Sequence, residues 1–157
     1  MTKWLSILQK NNYLAAKKLI KEGANLNARN ESGESVLAYA LKSRVDQDIL
    51  ELLIDNGADI FYSDDEGVSI LDFAVTYNNM FMVQLLLDKG KDVNDVTRKS
   101  GFTPLMAAVC YGRYEIFRLL LEAGSDISAV ERKGMTALNF AQKMRKKSMI
   151  TLLEEAS

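Results

Sequence analysis

The chain of 157 residues contains no histidine, one cysteine (Cys110), one proline (Pro104) and one tryptophan. The lack of histidine removes the commonest general base, the usual activator of a nucleophile and the commonest metal ligand. A lone cysteine forms no intrachain disulfide, which fits a reducing compartment and a cytoplasmic setting. Without a histidine beside it Cys110 is a weak nucleophile, and it reads as a small residue on a helix. No apolar run reaches the roughly 20 residues that span a bilayer, so no membrane association is expected. The start, Met1 to Asn12, lacks a small-residue cleavage site and does not read as a signal peptide.

Charge is nearly balanced overall, at -1, but unevenly placed. Residues 1–29 carry six basic and one acidic side chain, residues 30–97 carry four and fourteen, and residues 98–157 carry ten and six. Such a distribution steers partners and says nothing about fold. The acidic run Asp64-Asp65-Glu66-Gly67 lacks the alternating ligand spacing of a calcium loop. The basic run Arg145-Lys146-Lys147 has no interleaved aromatic residues, so it reads as part of a solvated, lysine-rich helix over Lys143–Lys147, and nucleic acid is not expected. No metal, cofactor or catalytic set emerges, and the expectation is a chain that is not an enzyme.

What is present is periodicity. Gly23, Gly57, Gly90 and Gly124 recur at steps of 34, 33 and 34 residues, and Gly33, Gly67, Gly101 and Gly134 at 34, 34 and 33. Two glycine combs of one spacing indicate stacked repeats. In the best-formed unit, Gly101 marks a turn, Thr103 is placed to cap a helix and Pro104 sits at its first position, where no N–H is missed. Gly112 interrupts the run, Tyr114–Glu122 supplies a second helix, and Gly124 ends it. Each unit thus reads as turn, helix, short loop, helix and extended link. Single pairs cannot bury both faces, so pairs must stack.

These motifs resemble the ankyrin repeat: Asp64-x-x-Gly67, Thr103-Pro104-Leu105, Ala107-Ala108, Gly112, Leu119-Leu120 and Gly57-Ala58-Asp59-Ile60 match its pattern. The resemblance covers the chain as one domain of an N-terminal cap (1–29), repeats at 30–63, 64–97 and 98–130, and a C-terminal cap (131–157). It implies an all-α solenoid of helix-turn-helix units with short β-turn fingers. The histidine of the family's T-P-L-H box is absent, the box reading Ser35-Val36-Leu37-Ala38, Ser69 to Asp72, Thr103 to Met106 and Thr136 to Asn139. Weaker polar links between repeats in the middle of the chain, and less uniform stability, are therefore expected. The loop at Arg44-Val45-Asp46 carries one extra residue, and Asn78-Asn79 replaces the usual loop glycine.

By the same resemblance, turn tips and first helices line a concave groove that binds proteins. The tips are Glu31, Ser32 and Glu34; Asp65, Glu66 and Val68; Lys99, Ser100 and Phe102; and Arg132, Lys133 and Met135. The first-helix positions are Lys42 and Ser43, Thr76 and Tyr77, Cys110 and Tyr111, and Lys143 and Met144. The partner-binding set expected from these comprises Glu34, Asp65, Glu66, Val68, Thr76, Tyr77, Lys99, Phe102, Cys110, Tyr111, Arg132 and Met135. Tyr77, Phe102 and Tyr111 form its apolar centre, since large aromatic side chains outside a core make hot spots. The expected role is a monomeric, stand-alone adaptor, inhibitor or immunity-type protein, with compactness and irregular repeats suggesting a bacterial source. A second reading is haem or cofactor handling beside a bacterial catalase, with Tyr62 or Tyr77 as a tyrosinate ligand.

Overall fold

The computed structural model describes residues 1–157 and contains ten helices and no named strand. The fold class is all-α, of the repeat-solenoid type. Two compact units divide the chain, Met1–Phe73 and Ala74–Ser157.

Unit 1 holds α1 (Thr2–Gln9), α2 (Tyr13–Lys21), α3 (Val36–Lys42) and α4 (Gln47–Asp55), and α5 (Ile70–Thr76) straddles the division in sequence. Within it, α1 packs on α2 and α3, and α4 on α2 and α3. The core is built from Trp4, Leu8, Leu37, Leu41, Ile49, Leu50 and Leu53, all buried. These recur at helical spacing, so each helix buries one stripe.

Unit 2 holds α6 (Met80–Asp88), α7 (Pro104–Tyr111), α8 (Tyr114–Glu122), α9 (Ala137–Lys143) and α10 (Lys147–Ala156). Here α7 packs on α8 and α9, and α9 on α10. Ala107, Ala108, Val109, Ile116, Phe117 and Leu120 are fully buried, the alanines letting neighbouring helices approach. Thr103 caps α7 by accepting from the Met106 N–H at 3.1 Å, with Pro104 at the first position, as the sequence indicates.

Every glycine lies in the left-handed region, which accounts for both combs. A third comb is hidden in the sequence. Asn11, Arg44, Asn78, Gly112 and Arg145 all have φ between 50° and 68° and occupy the same bend between first and second helix. Only Gly112 adopts that conformation freely; asparagine tolerates it and arginine is strained. Arg44 is followed by the extra residue foreseen in its loop, and Val45 is buried.

The missing box histidine has a local replacement. Asp72 accepts from the Ser69 N–H and hydroxyl, both at 2.9 Å, and Asn139 accepts from the Thr136 N–H at 2.9 Å. Those side chains close their own helix ends, and polar links between repeats run elsewhere. In unit 1, Asn27 accepts from the Asp59 N–H at 2.9 Å, and Asn11 from the Asp46 N–H at 2.8 Å. In unit 2, Asn94 accepts from the Asp126 N–H at 2.8 Å and donates to the Gly124 carbonyl at 2.9 Å. Polar coupling therefore exists within each unit, through asparagines of the links and of the first bend.

Candidate binding surfaces

The finger tips are held by one device in three of four cases. Asn30 Oδ1 accepts from the Ser32 and Glu34 N–H groups, Asp64 Oδ1 from those of Glu66 and Val68, and Glu131 Oε1 from those of Lys133 and Met135, all at 2.8–3.0 Å. The fourth finger has Arg98 at that position, which has no acceptor to offer. Its guanidinium carbon lies instead 5.2 Å from the Phe102 ring centroid.

In unit 1 the expected tip residues divide. Glu34 is 8% exposed; its carboxylate accepts from Lys42 Nζ at 2.8 Å and Asn30 Nδ2 at 2.7 Å. This corrects its reading as an exposed tip, because the position after Gly33 points back onto the repeat and a buried carboxylate must be paired. Lys42, expected on the binding face, is that partner. Asp65 and Glu66 are exposed, with Asp65 3.7 Å from Arg29, and Val68 is half-buried. Tyr62 donates its hydroxyl to the Gly33 carbonyl, and Arg29 lies 4.9 Å above its ring. Burial raises the Tyr62 pKa, partly offset by Arg29. A hydroxyl bonded to the backbone and held protonated is a poor tyrosinate ligand, so Tyr62 does not favour the haem reading.

In unit 2 the expected residues fall into two groups at opposite ends of α7. At the finger end, Lys99 and Arg132 are exposed, and the Arg132 N–H donates to the Ser100 carbonyl at 2.8 Å, joining the two tips. Gly101 permits this approach, since a Cβ there would sit 3.3 Å from the Arg132 nitrogen. Met135 is half-buried. Phe102 is half-buried too, its ring 5.4 Å from that of Phe140 in an edge-on contact. Phe102 thus helps hold its own unit, which narrows its expected role as a free hot spot.

At the other end, about 12 Å away along eight helical residues, lie Thr76, Cys110 and Tyr111. Tyr111 is 52% exposed. Arg113 Nη2 donates to the Thr76 carbonyl at 2.7 Å while its guanidinium carbon lies 5.9 Å from the Tyr111 centroid. Tyr77 is half-buried and engaged with its surroundings. Burial raises the Cys110 thiol pKa, and the Lys146 ammonium partly offsets it.

Two residues at this end escape sequence reasoning, Arg113 and Lys146. The stretch Lys143–Lys147 is also not one helix: α9 ends at Lys143, Met144–Lys146 turn, and α10 starts at Lys147. Arg145 occupies the left-handed bend that stops the helix. Aligning the bends of the five repeats would have exposed both points.

No group of three or more histidine, cysteine, aspartate or glutamate residues is disposed to hold a metal ion, and no helix is long and apolar enough to cross a membrane.

A family model described as "Ankyrin repeats (3 copies)" matches residues 5–97, 45–131 and 94–157. The chain therefore belongs to the ankyrin repeat family, a non-enzymatic fold of protein–protein interaction. Among curated proteins it is 39% identical over 90 residues to the Gallus gallus nuclear factor NF-kappa-B p105 subunit, covering 55% of this chain and 9% of that one. It is 33% identical over 104 residues to putative ankyrin repeat protein FPV031 of Fowlpox virus (strain NVSL), covering 64% and 30% respectively. It is 34% identical over 94 residues to alpha-latrotoxin-Lg1a of Latrodectus geometricus, covering 59% and 7%. The matched region is less than a third of each relative's length, and these three lend no support to a bacterial source.

Proposed function

We propose that the chain recognises a partner protein without transforming it, in an adaptor, inhibitor or immunity-type role, through exposed side chains of unit 2. The observation that carries this reading is the exposure of Tyr111 together with Lys99 and Arg132, in a fold whose cores are complete without them. Exposed aromatic and arginine residues are the usual anchors of an interface. Tyr77, Phe102 and Met135, each half-buried, would add apolar contact, with Thr76 and Cys110 at its margin. One unpaired cysteine suits a reducing, cytoplasmic setting.

Affinity capture from the source cell, with Tyr77→Ala, Lys99→Glu and Arg132→Glu combined as control, tests the reading. The expected outcome is a partner lost with the triple variant while helical circular dichroism and melting are unchanged. Undiminished capture by the variant would remove these residues from the interface.

A further inference from the structure

The second helices of the five repeats begin at equivalent positions, preceded by Asn12, Asp46, Asn79, Arg113 and Lys146. Asn12 and Asn79 each accept a hydrogen bond from the first turn, at 3.0 and 2.9 Å. Asp46 sets a carboxylate at the site but makes no cap bond to α4. Arg113 and Lys146 have no acceptor, and neither α8 nor α10 has a side-chain cap. Two helix starts in unit 2 thus have a cation in front of them, and α8 carries one carboxylate, Glu115, in its first turn. A missing cap costs about 1 kcal/mol of stability, and here it occurs twice on one edge.

That edge is assembled by contact. Lys146 Nζ lies 3.7 Å from where a Cβ of residue 112 would be, beside Tyr111, with the Tyr114 ring 4.0 Å from the same point. Arg113 bridges Tyr111 to the end of α5. Tyr111, Tyr114 and Met144 are 52%, 42% and 47% exposed. Lys143, Arg145, Lys146 and Lys147 take part in none of the molecule's ion pairs. No acidic residue occurs between Glu131 and Glu154. The aromatic residues that the sequence did not interleave with the basic run are supplied by the preceding repeat.

We propose that the α7–α8 and α9–α10 turns form a docking edge for an acidic peptide segment with an apolar anchor, its carboxylates pairing with the cations of the two turns. The proposal rests on the protein-binding reading and gives the partner its chemistry. Exposed cations call for carboxylates, and the exposed Tyr111 and Met144 call for an apolar side chain. Nucleic acid is the lesser fit: the chain as a whole carries a net charge of -1, too little positive charge for a long polyanion.

The test titrates a fluorescein-labelled peptide of about twelve residues, alternating glutamate with leucine, against the whole chain in about 50 mM salt by anisotropy. Saturable binding is expected, and a lysine–leucine peptide should not bind. Lys143→Glu with Arg145→Glu and Lys146→Glu should weaken it about tenfold or more, as should Tyr111→Ala. Lys146→Asn supplies a cap, so it should raise the melting temperature while weakening the peptide, a pairing that a purely structural lysine would not give. No saturable binding, or binding unmoved by these variants, overturns the proposal. So does a single-stranded oligonucleotide that displaces the peptide at lower concentration, or self-association in sedimentation that the charge reversals abolish. A captured partner that is lost with Tyr77→Ala, Lys99→Glu and Arg132→Glu yet unaffected by the 143–146 reversals would leave the protein-binding reading standing and this edge excluded.

Discussion

Units 1 and 2 are built from one repeat and use their charges differently. In unit 1, two cations serve their own repeats, Lys42 neutralising the buried Glu34 and the exposed Arg29 covering Tyr62 and approaching Asp65, while Lys3, Lys10, Lys17 and Lys21 stay exposed. The repeats there place Asn12 and Asp46 before their second helices. In unit 2 the last two repeats place Arg113 and Lys146 at that position, a finger carries Arg98 where others have an acceptor, and Lys143, Arg145 and Lys147 are exposed. The difference teaches that the repeat fold tolerates a cation where an acceptor usually stands before the second helix, which leaves positive charge at two turns of unit 2.

The largest expected contrast is between two aromatic residues of unit 2. Phe102→Ala should destabilise the chain by about 2–3 kcal/mol, since it removes the packing on Phe140 and the contact with Arg98, whereas Tyr111→Ala should stay within about 0.5 kcal/mol. Denaturant unfolding measures both. Equal losses would show that Tyr111 is structural and would break the division. Next, Lys42→Met should cost about 1–2 kcal/mol by leaving the Glu34 carboxylate buried and short of a partner. Lys143→Met should leave the unfolding midpoint within about 0.5 kcal/mol of the parent.

Smaller effects sharpen the comparison at the bends. Arg44→Gly in unit 1 and Arg145→Gly in unit 2 should each stabilise by about 0.5–1 kcal/mol, because glycine relieves the left-handed strain. A gain at Arg44 alone would mean that Arg145 earns compensating contacts. Smallest is the behaviour of Cys110. Its raised pKa leaves less thiolate near pH 8 than a free cysteine has, so iodoacetamide should react more slowly there. The rate should still climb with pH after a free thiol has levelled off.

The helices, their order and the two glycine combs were legible because glycine at a fixed period marks positions that other residues avoid. The third comb was not, because asparagine and arginine fill four of its five positions and tertiary packing supplies what glycine would have given. Glu34 was misplaced because the pattern assigns a position to a finger without saying which way it points. Lys42, eight residues on, settles that in space. The finger tips Lys99 and Arg132 could be read from the resemblance. The basic edge could not, because a cation before a helix looks like any surface charge until the other repeats show an acceptor there.

The central claim is that the α7–α8 and α9–α10 turns of unit 2 present the recognition edge. Backbone amide NMR of the uniformly labelled chain, titrated with the glutamate–leucine peptide, tests it most directly. The account predicts shifts concentrated at residues 110–114 and 143–148. Shifts concentrated at residues 31–34 and 64–68, or none at saturating peptide, would contradict it.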